Sequence, residues 1–224
     1  MQGRGEPRAV VFDVDGTLVD STYLHTVAWW EALRQHDRLV PAAELHRAIG
    51  LPARELLTRL LGEADYAQLG AAVSAAHGTL YGQLHDRLRA FDRVPELLRT
   101  LAGRGWRVVL ATSAKGSDLA ALRRAIGADD AIDALTSAED VEHGKPAPDP
   151  VRAALDLVGV PPESARFVGD SVWDVYAATA AGVACLAVCT GGTSRAELTE
   201  AGAVAVYDSP AALLSALDAG PLRD

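Results

Sequence analysis

The residues of this 224-residue chain that are best suited to chemistry begin with two aspartates near the N-terminus. Asp13 and Asp15 follow a short apolar run at residues 9–12 and precede Gly16, which allows a sharp turn. Two carboxylates at this spacing repel each other unless a cation lies between them or one is protonated. A divalent cation with oxygen ligands, such as Mg²⁺, removes that conflict. The alternative is an ordinary turn after a strand, since Asp and Gly both favour turns.

Four more reactive side chains occur further along the chain, each just after an apolar run or in the loop that follows one: Thr112, Lys145, Asp170 and Asp174. Each alone has an ordinary explanation, such as a helix cap, a solvated surface charge or an acidic helix start. Together they predict one site, because the carboxyl ends of parallel strands meet at the same edge of a sheet.

The elements that must position these residues alternate regularly from Val94 onward. Strands are predicted at residues 9–12, 106–111, 131–136, 165–168, 183–188 and 203–206, and helices at 95–104, 119–126, 151–158, 175–181 and 210–217. A loop at residues 137–150 carries the Gly-Lys-Pro sequence that contains Lys145. This alternation predicts an α/β fold, with a Rossmann-like parallel sheet covered by helices on both faces.

The stretch after the first strand is different, because helical patterns continue for some seventy residues without a convincing strand. Ser21 is a candidate N-cap for a helix to about residue 35, and further helices are predicted from Pro41, at 54–61 and at 64–84. Such a block is too long for an ordinary crossover. We therefore expect an inserted all-helical domain at residues 19–88 and a core domain formed by residues 1–18 and 89–224.

Composition limits the classes of function. The formal net charge of -9, without a long basic run, argues against nucleic acid or an anionic membrane as partner. No apolar stretch approaches the ~18 residues of a membrane-spanning helix, and the first residues lack a signal-peptide core. Cys185 and Cys189 are too few for a disulfide framework and are predicted to be buried free thiols in a strand. We expect a cytoplasmic protein.

The chain resembles the haloacid dehalogenase-like (HAD-like) superfamily of phosphotransferases. The resemblance covers nearly the whole chain and rests on four motifs in order: Asp13-Val14-Asp15-Gly16-Thr17, Thr112 after an apolar strand, Lys145 in Gly-Lys-Pro, and Gly169-Asp170-Ser171-x-x-Asp174. The helical block is similar to the helical cap domain of the phosphoglycolate phosphatase and β-phosphoglucomutase branch.

The resemblance implies a role for each motif residue. Asp13 would attack phosphorus and Asp15 would act as general acid and base. Mg²⁺ would be held by Asp13, the backbone carbonyl of Asp15, Asp170 and Asp174. Thr112 and Ser113 would bind phosphate oxygens, and Lys145 would neutralise charge on the nucleophile and the transferring group. In the cap, His25 and Arg54 are candidate substrate residues, with a structural role for His25 and a surface position for Arg54 as the alternatives.

The leading hypothesis is a Mg²⁺-dependent phosphatase that hydrolyses a small phosphorylated metabolite through an aspartyl phosphate, as a monomer or homodimer. A β-phosphoglucomutase-like phosphotransferase shares the core residues and stays open as an alternative. A 2-haloacid dehalogenase would use the same nucleophile without metal, but it has no need of Asp15. A receiver-like regulatory module would carry its acidic pair and phosphorylated Asp on different strands, and a catalytically dead scaffold would lack part of the set.

Overall fold

The computed structural model describes residues 7–137 and 140–223. The strands are β1 (Arg8–Phe12), β2 (Trp106–Ala111), β3 (Ala134–Thr136), β4 (Ala165–Gly169), β5 (Ala184–Val188) and β6 (Ala205–Tyr207). They form one parallel sheet in the order β3-β2-β1-β4-β5-β6. The strand order reverses beside β1, which is the position where open α/β sheets form a binding crevice. The predicted α/β fold with a Rossmann-like parallel sheet is confirmed.

The helices fall into two groups. Four lie between β1 and β2: α1 (Thr22–Gln35), α2 (Ala42–Ala48), α3 (Ala53–Leu61) and α4 (Glu63–Gly82). Six others follow in the rest of the chain: α5 (Val94–Gly103), α6 (Gly116–Ile126), α7 (Asp149–Val158), α8 (Val172–Ala180), α9 (Arg195–Ala201) and α10 (Pro210–Ser215). Among the described residues, none of these helices has both the length and the apolar character needed to cross a membrane.

The two faces of the sheet bury separate apolar clusters, because side chains alternate along each strand. In β1, Val10 and Phe12 pack into a cluster that includes residues of α5, α6 and α10. On the opposite face, Ala9 and Val11 join residues of α7, α8 and α9. Burial on both sides holds the carboxyl end of β1 in place. The Asp13 backbone N–H extends the pairing of β1 with β4 by donating to Val168 O at 2.9 Å.

The helices α1 to α4 bury an apolar cluster of their own, which includes Trp29, Leu33, Leu45 and Leu57. Two chain segments connect these helices to the sheet, and they pair with each other through an antiparallel bridge between Val19 and Ala90. We call residues 22–82 the helical segment. The paired connections hold it over the carboxyl edge of the sheet.

The structure differs from the sequence prediction at several elements. The third strand begins at Ala134 and not at residue 131, because residues 129–131 form a 3₁₀ turn. The helix α9 was not predicted, although Ser194 and Glu197 form a capping box at its start. Cys185 lies in β5 as expected, but Cys189 follows that strand and is only partly buried. Residues 138–139 of the predicted loop, the first six residues and Asp224 lie outside the described residues.

Candidate active site

The sheet brings the motif residues to one edge. Asp13 and Asp15 follow β1, Thr112 follows β2 and Asp170 follows β4. The Thr112 backbone N–H donates to Thr136 O at 3.1 Å, so the chain is still paired with β3 where the hydroxyl side chain projects. The strand ends thus bring Asp13, Thr112 and Asp170 into one buried group, together with Lys145 from the loop before α7.

Lys145 lies between two carboxylates. Its Nζ contacts Asp13 Oδ1 directly and is 2.7 Å from Asp174 Oδ1. All three side chains are buried. Burial opposes the charge on Lys145, but Asp13 and Asp174 together raise its pKa. The ammonium group is therefore charged at neutral pH and compensates one of the buried carboxylates.

Asp170 closes the other side of this group. The Thr17 hydroxyl donates to Asp170 Oδ1 at 2.7 Å and lies 3.2 Å from Asp13 Oδ2. Backbone packs closely around the same carboxylate, since a Cβ atom at Gly16 would lie 2.6 Å from Asp170 Oδ2 and one at Gly191 would lie 1.6 Å from it. Gly16 also has a φ of +82°, a conformation that L-residues seldom adopt. Both positions therefore require glycine, because a side chain at either one would collide with the Asp170 carboxylate.

These carboxylates fit a divalent cation. One oxygen each from Asp13, Asp170 and Asp174 lie within 4.8 Å of one another, and all three residues are buried. Burial, followed by Asp174 and Asp13, raises the pKa of Asp170 well above its ordinary value. Burial likewise raises the pKa of Asp13 to about 7, although Lys145 opposes this. Three buried carboxylates against one ammonium leave negative charge uncompensated, and oxygen donors suit Mg²⁺.

Asp15 has different neighbours and a different charge state. The Ser21 hydroxyl donates to Asp15 Oδ1 at 2.6 Å, and His25 Nε2 lies 3.3 Å from the same oxygen. Burial opposes ionisation of Asp15, but His25 and Ser21 lower its pKa below the ordinary value. Ser21 precedes α1 as predicted, yet its side chain does not cap that helix because its hydroxyl is committed to Asp15.

A cavity of about 540 Å³ lies between the helical segment and the edge of the sheet. Asp13, Asp15, Thr112, Ser113 and Lys145 line its sheet side. The opposite wall includes four rings, those of His25, Trp29, His77 and Tyr81, beside residues 49–56. The cavity is large enough for a small metabolite whose phosphate reaches the buried carboxylates.

Arg54 also lines this cavity, but its guanidinium is directed outward along the helical segment. It lies 5.2 Å from the centroid of the Tyr66 ring and 4.0 Å from Glu63, and 65% of its side chain is exposed. His25, in contrast, is brought into direct contact with Asp15. Of the two predicted substrate residues, His25 therefore lies against a proposed reacting group, whereas Arg54 is directed away from them.

Comparison with known proteins agrees with this geometry. A family model described as haloacid dehalogenase-like hydrolase matches residues 7–182. The chain belongs to this family. It is 36% identical over 217 residues to the phosphoglycolate phosphatase of Rhodospirillum rubrum, which covers 92% of this chain and 89% of the relative. As a member of the HAD-like hydrolases with phosphatases among its relatives, it is an enzyme of the phosphoric monoester hydrolase class.

Two solved structures extend the HAD-like comparison. A hydrolase from Pseudomonas syringae superposes with a TM-score of 0.89 at 32% identity, covering 94% of this chain and 98% of the other. CbbY from Rhodobacter sphaeroides, solved in complex with phosphate, superposes with a TM-score of 0.76 at 27% identity. The coverage is 92% of this chain and 96% of CbbY.

Three residues of the HAD-like site were not singled out from the sequence as site residues. Thr17 and Ser21 bond Asp170 and Asp15, and His77 lies against His25. Thr17 was quoted only as part of the first motif, and Ser21 was assigned to helix capping. No sequence signal distinguishes His77, because it is one polar residue in the helix α4, 52 positions from His25.

Proposed function

We propose that the protein is a Mg²⁺-dependent phosphatase that hydrolyses a small phosphorylated metabolite through an aspartyl phosphate on Asp13. The observation that carries the proposal is the division between two neighbouring carboxylates. Asp13 lies with Lys145 and the acidic cluster, whereas Asp15 bonds Ser21 and His25 at the cavity wall. Two carboxylates with different environments are suited to different roles in one reaction.

The chain's own residues account for the two steps. Asp13 attacks phosphorus, and Asp15, which has to be in its protonated form for this step, gives its proton to the leaving oxygen. Asp15 then takes a proton from the water that hydrolyses the aspartyl phosphate. Lys145 holds Asp13 in place and offsets its charge, while Thr112 and Ser113 hydrogen-bond the phosphate oxygens. Asp13, Asp170, Asp174 and the Asp15 carbonyl would hold Mg²⁺, which offsets the repulsion between the anionic nucleophile and the anionic phosphate when bound.

We propose a class of substrate, small phosphorylated metabolites, and not a single compound. Named relatives include phosphoglycolate phosphatases and a validoxylamine A 7'-phosphate phosphatase that is 29% identical, so related chains act on phosphate esters of quite different size. The volume of the cavity accommodates both small and sugar-sized groups. We also propose that residues 19–88 act as a cap domain on a core formed by residues 1–18 and 89–224. The cytoplasmic location stays a prediction, and so does the oligomeric state, a monomer or homodimer.

The nucleophile is tested with Asp13→Asn, which removes the attacking carboxylate and preserves the shape of the side chain. We expect release of phosphate from p-nitrophenyl phosphate and acetyl phosphate to fall at least about a thousandfold, together with loss of an acid-stable protein-bound phosphoryl group. Ser194→Ala, remote from the cavity, is the control for handling and purity. Turnover by Asp13→Asn close to that of the unaltered enzyme would exclude the proposal, and full release of phosphate after EDTA treatment would exclude the Mg²⁺ dependence.

A further inference from the structure

The first residue of α1, Thr22, has a buried hydroxyl group that bonds nothing in the part of the chain that the structure describes. The whole residue is only 3% exposed. Thr26, one turn further along the same helix, is buried as well, but its hydroxyl donates to Thr22 O at 2.9 Å. Leaving a buried hydroxyl unbonded is unfavourable, so the exception at Thr22 calls for an explanation.

The Thr22 hydroxyl lies beside the carboxylate of Asp170. Thr22 Oγ1 and Asp170 Oδ2 are 2.3 Å and 2.6 Å from the same point, which is the position that a Cβ atom at Gly16 would occupy. The two oxygens are therefore neighbours in space that the glycine leaves open. Asp170 Oδ1 accepts from the Thr17 hydroxyl, whereas no described residue donates to Asp170 Oδ2. A donor without an acceptor thus lies next to an acceptor without a donor.

Two other partners for this hydroxyl are less suitable. The described residues that line the cavity do not include Thr22, so a substrate bound there is not the partner that the geometry indicates. Thr26 bonds the carbonyl four residues before it, but the carbonyl four residues before Thr22, Leu18 O, already accepts from the Phe91 N–H at 3.0 Å. Asp170 Oδ2 is the acceptor that remains.

We propose that Thr22 is a positioning residue for the metal ligand Asp170: its hydroxyl donates to Asp170 Oδ2 and so orients this carboxylate toward the cation. The inference rests on the Mg²⁺ site of the proposed function. No contact with the substrate or the cation is assigned to Thr22. Because the hydroxyl has no other bond to break, it is available to Asp170 when the carboxylate takes up a ligand position. Residues that orient metal ligands in this way change metal affinity by ~10–100-fold when they are removed.

Thr22→Val tests the bond, because valine has nearly the shape of threonine and lacks the hydroxyl group. We expect the Kd for Mg²⁺, measured by isothermal titration calorimetry without substrate, to rise on the order of tenfold. With EDTA present, the Tm of Thr22→Val should equal or exceed that of the unaltered protein, because the variant removes an unbonded buried hydroxyl. The rise in Tm at a fixed Mg²⁺ concentration should be smaller in the variant, because weaker binding stabilises the folded state less.

Three further variants separate the hydroxyl group from packing. Thr22→Ser retains the hydroxyl and loses the methyl group, and its Kd should stay within about twofold of the unaltered protein, since the orienting bond is kept. Thr26→Val removes a buried hydroxyl that bonds the backbone, and as the matched control it should bind Mg²⁺ like the unaltered protein. Adding Thr22→Val to Asp170→Asn should weaken binding no further, because Thr22 acts through Asp170.

The outcomes distinguish the inference from the function on which it rests. Unchanged Mg²⁺ affinity in Thr22→Val, equal losses in Thr22→Ser and Thr22→Val, or a similar loss in Thr26→Val would overturn the role of the Thr22 hydroxyl while the Mg²⁺ site stands. A further loss when Thr22→Val is added to Asp170→Asn would show that Thr22 does not act through Asp170. Absence of Mg²⁺ binding by the unaltered protein would instead refute the proposed Mg²⁺ site, and the inference with it.

Discussion

At the scale of single residues, the site is dominated by buried negative charge. Asp13, Asp170 and Asp174 place carboxylate oxygens within 4.8 Å of one another, and Lys145 contacts two of these residues. Bringing like charges together inside a protein is unfavourable unless a cation or a proton intervenes. The free energy of unfolding should therefore depend on both Mg²⁺ and pH.

Asp170→Asn tests this charge balance. Asparagine removes one negative charge and can still accept from the Thr17 hydroxyl. Saturating Mg²⁺ stabilises a binding protein by about 2.7 kcal/mol at a concentration of 100 Kd. We expect an increase of this order in the free energy of unfolding of the unaltered protein, and a much smaller one in Asp170→Asn. Denaturant titrations with Mg²⁺ and with EDTA measure it, and equal increases in both proteins would place the cation elsewhere.

The pH dependence without metal has a definite sign. The pKa values of Asp13 and Asp170 are raised in the folded protein, so the folded state binds more protons than the unfolded state above pH 4. The metal-free protein should lose stability as the pH rises from about 4 to 7, by up to about 1.4 kcal/mol per pH unit for each such group. Asp170→Asn should show a shallower slope over the same range. Parallel slopes would contradict the assigned charge states.

Residue types and order were sufficient to predict the group of aspartates, threonine and lysine at one edge, because parallel strands leave few other arrangements. The contacts that give each carboxylate its environment could not be predicted. Ser21 shows the reason, because its position before α1 indicates a cap, but its hydroxyl bonds Asp15 instead. Local sequence does not reveal which of two nearby acceptors a hydroxyl will choose once the chain is folded.

At the scale of elements, the helices of the regular α/β region were predicted to within a few residues, and α9 was missed. The segment between β5 and β6 is short, and α9 has only seven residues. Its apolar periodicity is brief, with Leu198 as its buried residue, so pattern alone gives a weak signal. The capping box of Ser194 and Glu197 was the available evidence.

Two neighbouring residues of the helical segment, His46 and Arg47, make contacts of different kinds with the rest of the chain. His46 Nε2 lies 2.8 Å from Gly191 O, and the His46 ring stacks on Tyr23 at 5.0 Å. Arg47 Nη1 lies 2.6 Å from Glu197 Oε1, with 69% and 39% of the two side chains exposed. The His46 contact is partly buried and the Arg47 contact is exposed. Variants of these two residues can therefore be compared to test whether the proposed cap moves.

His46→Ala should favour an open arrangement of the helical segment. Losing one hydrogen bond and one ring contact costs about 1 kcal/mol, which corresponds to a roughly fivefold shift in a two-state equilibrium. We expect KM for p-nitrophenyl phosphate to rise severalfold and hydrogen exchange to increase at residues 18–20 and 88–92, in the two connections that would act as hinges. Arg47→Ala should change little, because exposed ion pairs contribute 0–1 kcal/mol. Equal effects of the two variants, or unchanged exchange at the hinges, would argue against closure through this contact.

At the scale of the whole molecule, the open question is whether the phosphoryl group goes to water or to a second hydroxyl. The core residues are the same for a phosphatase and a sugar-phosphate mutase, so the cap has to decide. A mutase holds a bisphosphate and needs a second anion site there, which Lys or Arg usually provides. Residues 21–87 contain no lysine.

The arginines of the helical segment are engaged elsewhere. Arg38 bonds Asp65, Arg47 bonds Glu197 and Arg59 lies over the Trp173 ring. Among the described residues that line the cavity, Arg54 is the arginine of this segment, and its guanidinium lies near Glu63 and Tyr66. The wall opposite Asp13 is therefore better suited to an uncharged group than to a second phosphate.

We accordingly predict hydrolysis. With Mg²⁺ present, the enzyme should release inorganic phosphate from small phosphate monoesters, and β-glucose 1-phosphate should not be converted to glucose 6-phosphate even when a hexose bisphosphate is supplied. Phosphate and glucose 6-phosphate are measured in the same reaction, with Asp13→Asn as the control for contaminating activity. Efficient formation of glucose 6-phosphate without release of phosphate would show that the cap does hold a second phosphate. Arg54, the arginine of the helical segment among the described residues that line the cavity, would then have to turn inward from Glu63 to bind that phosphate.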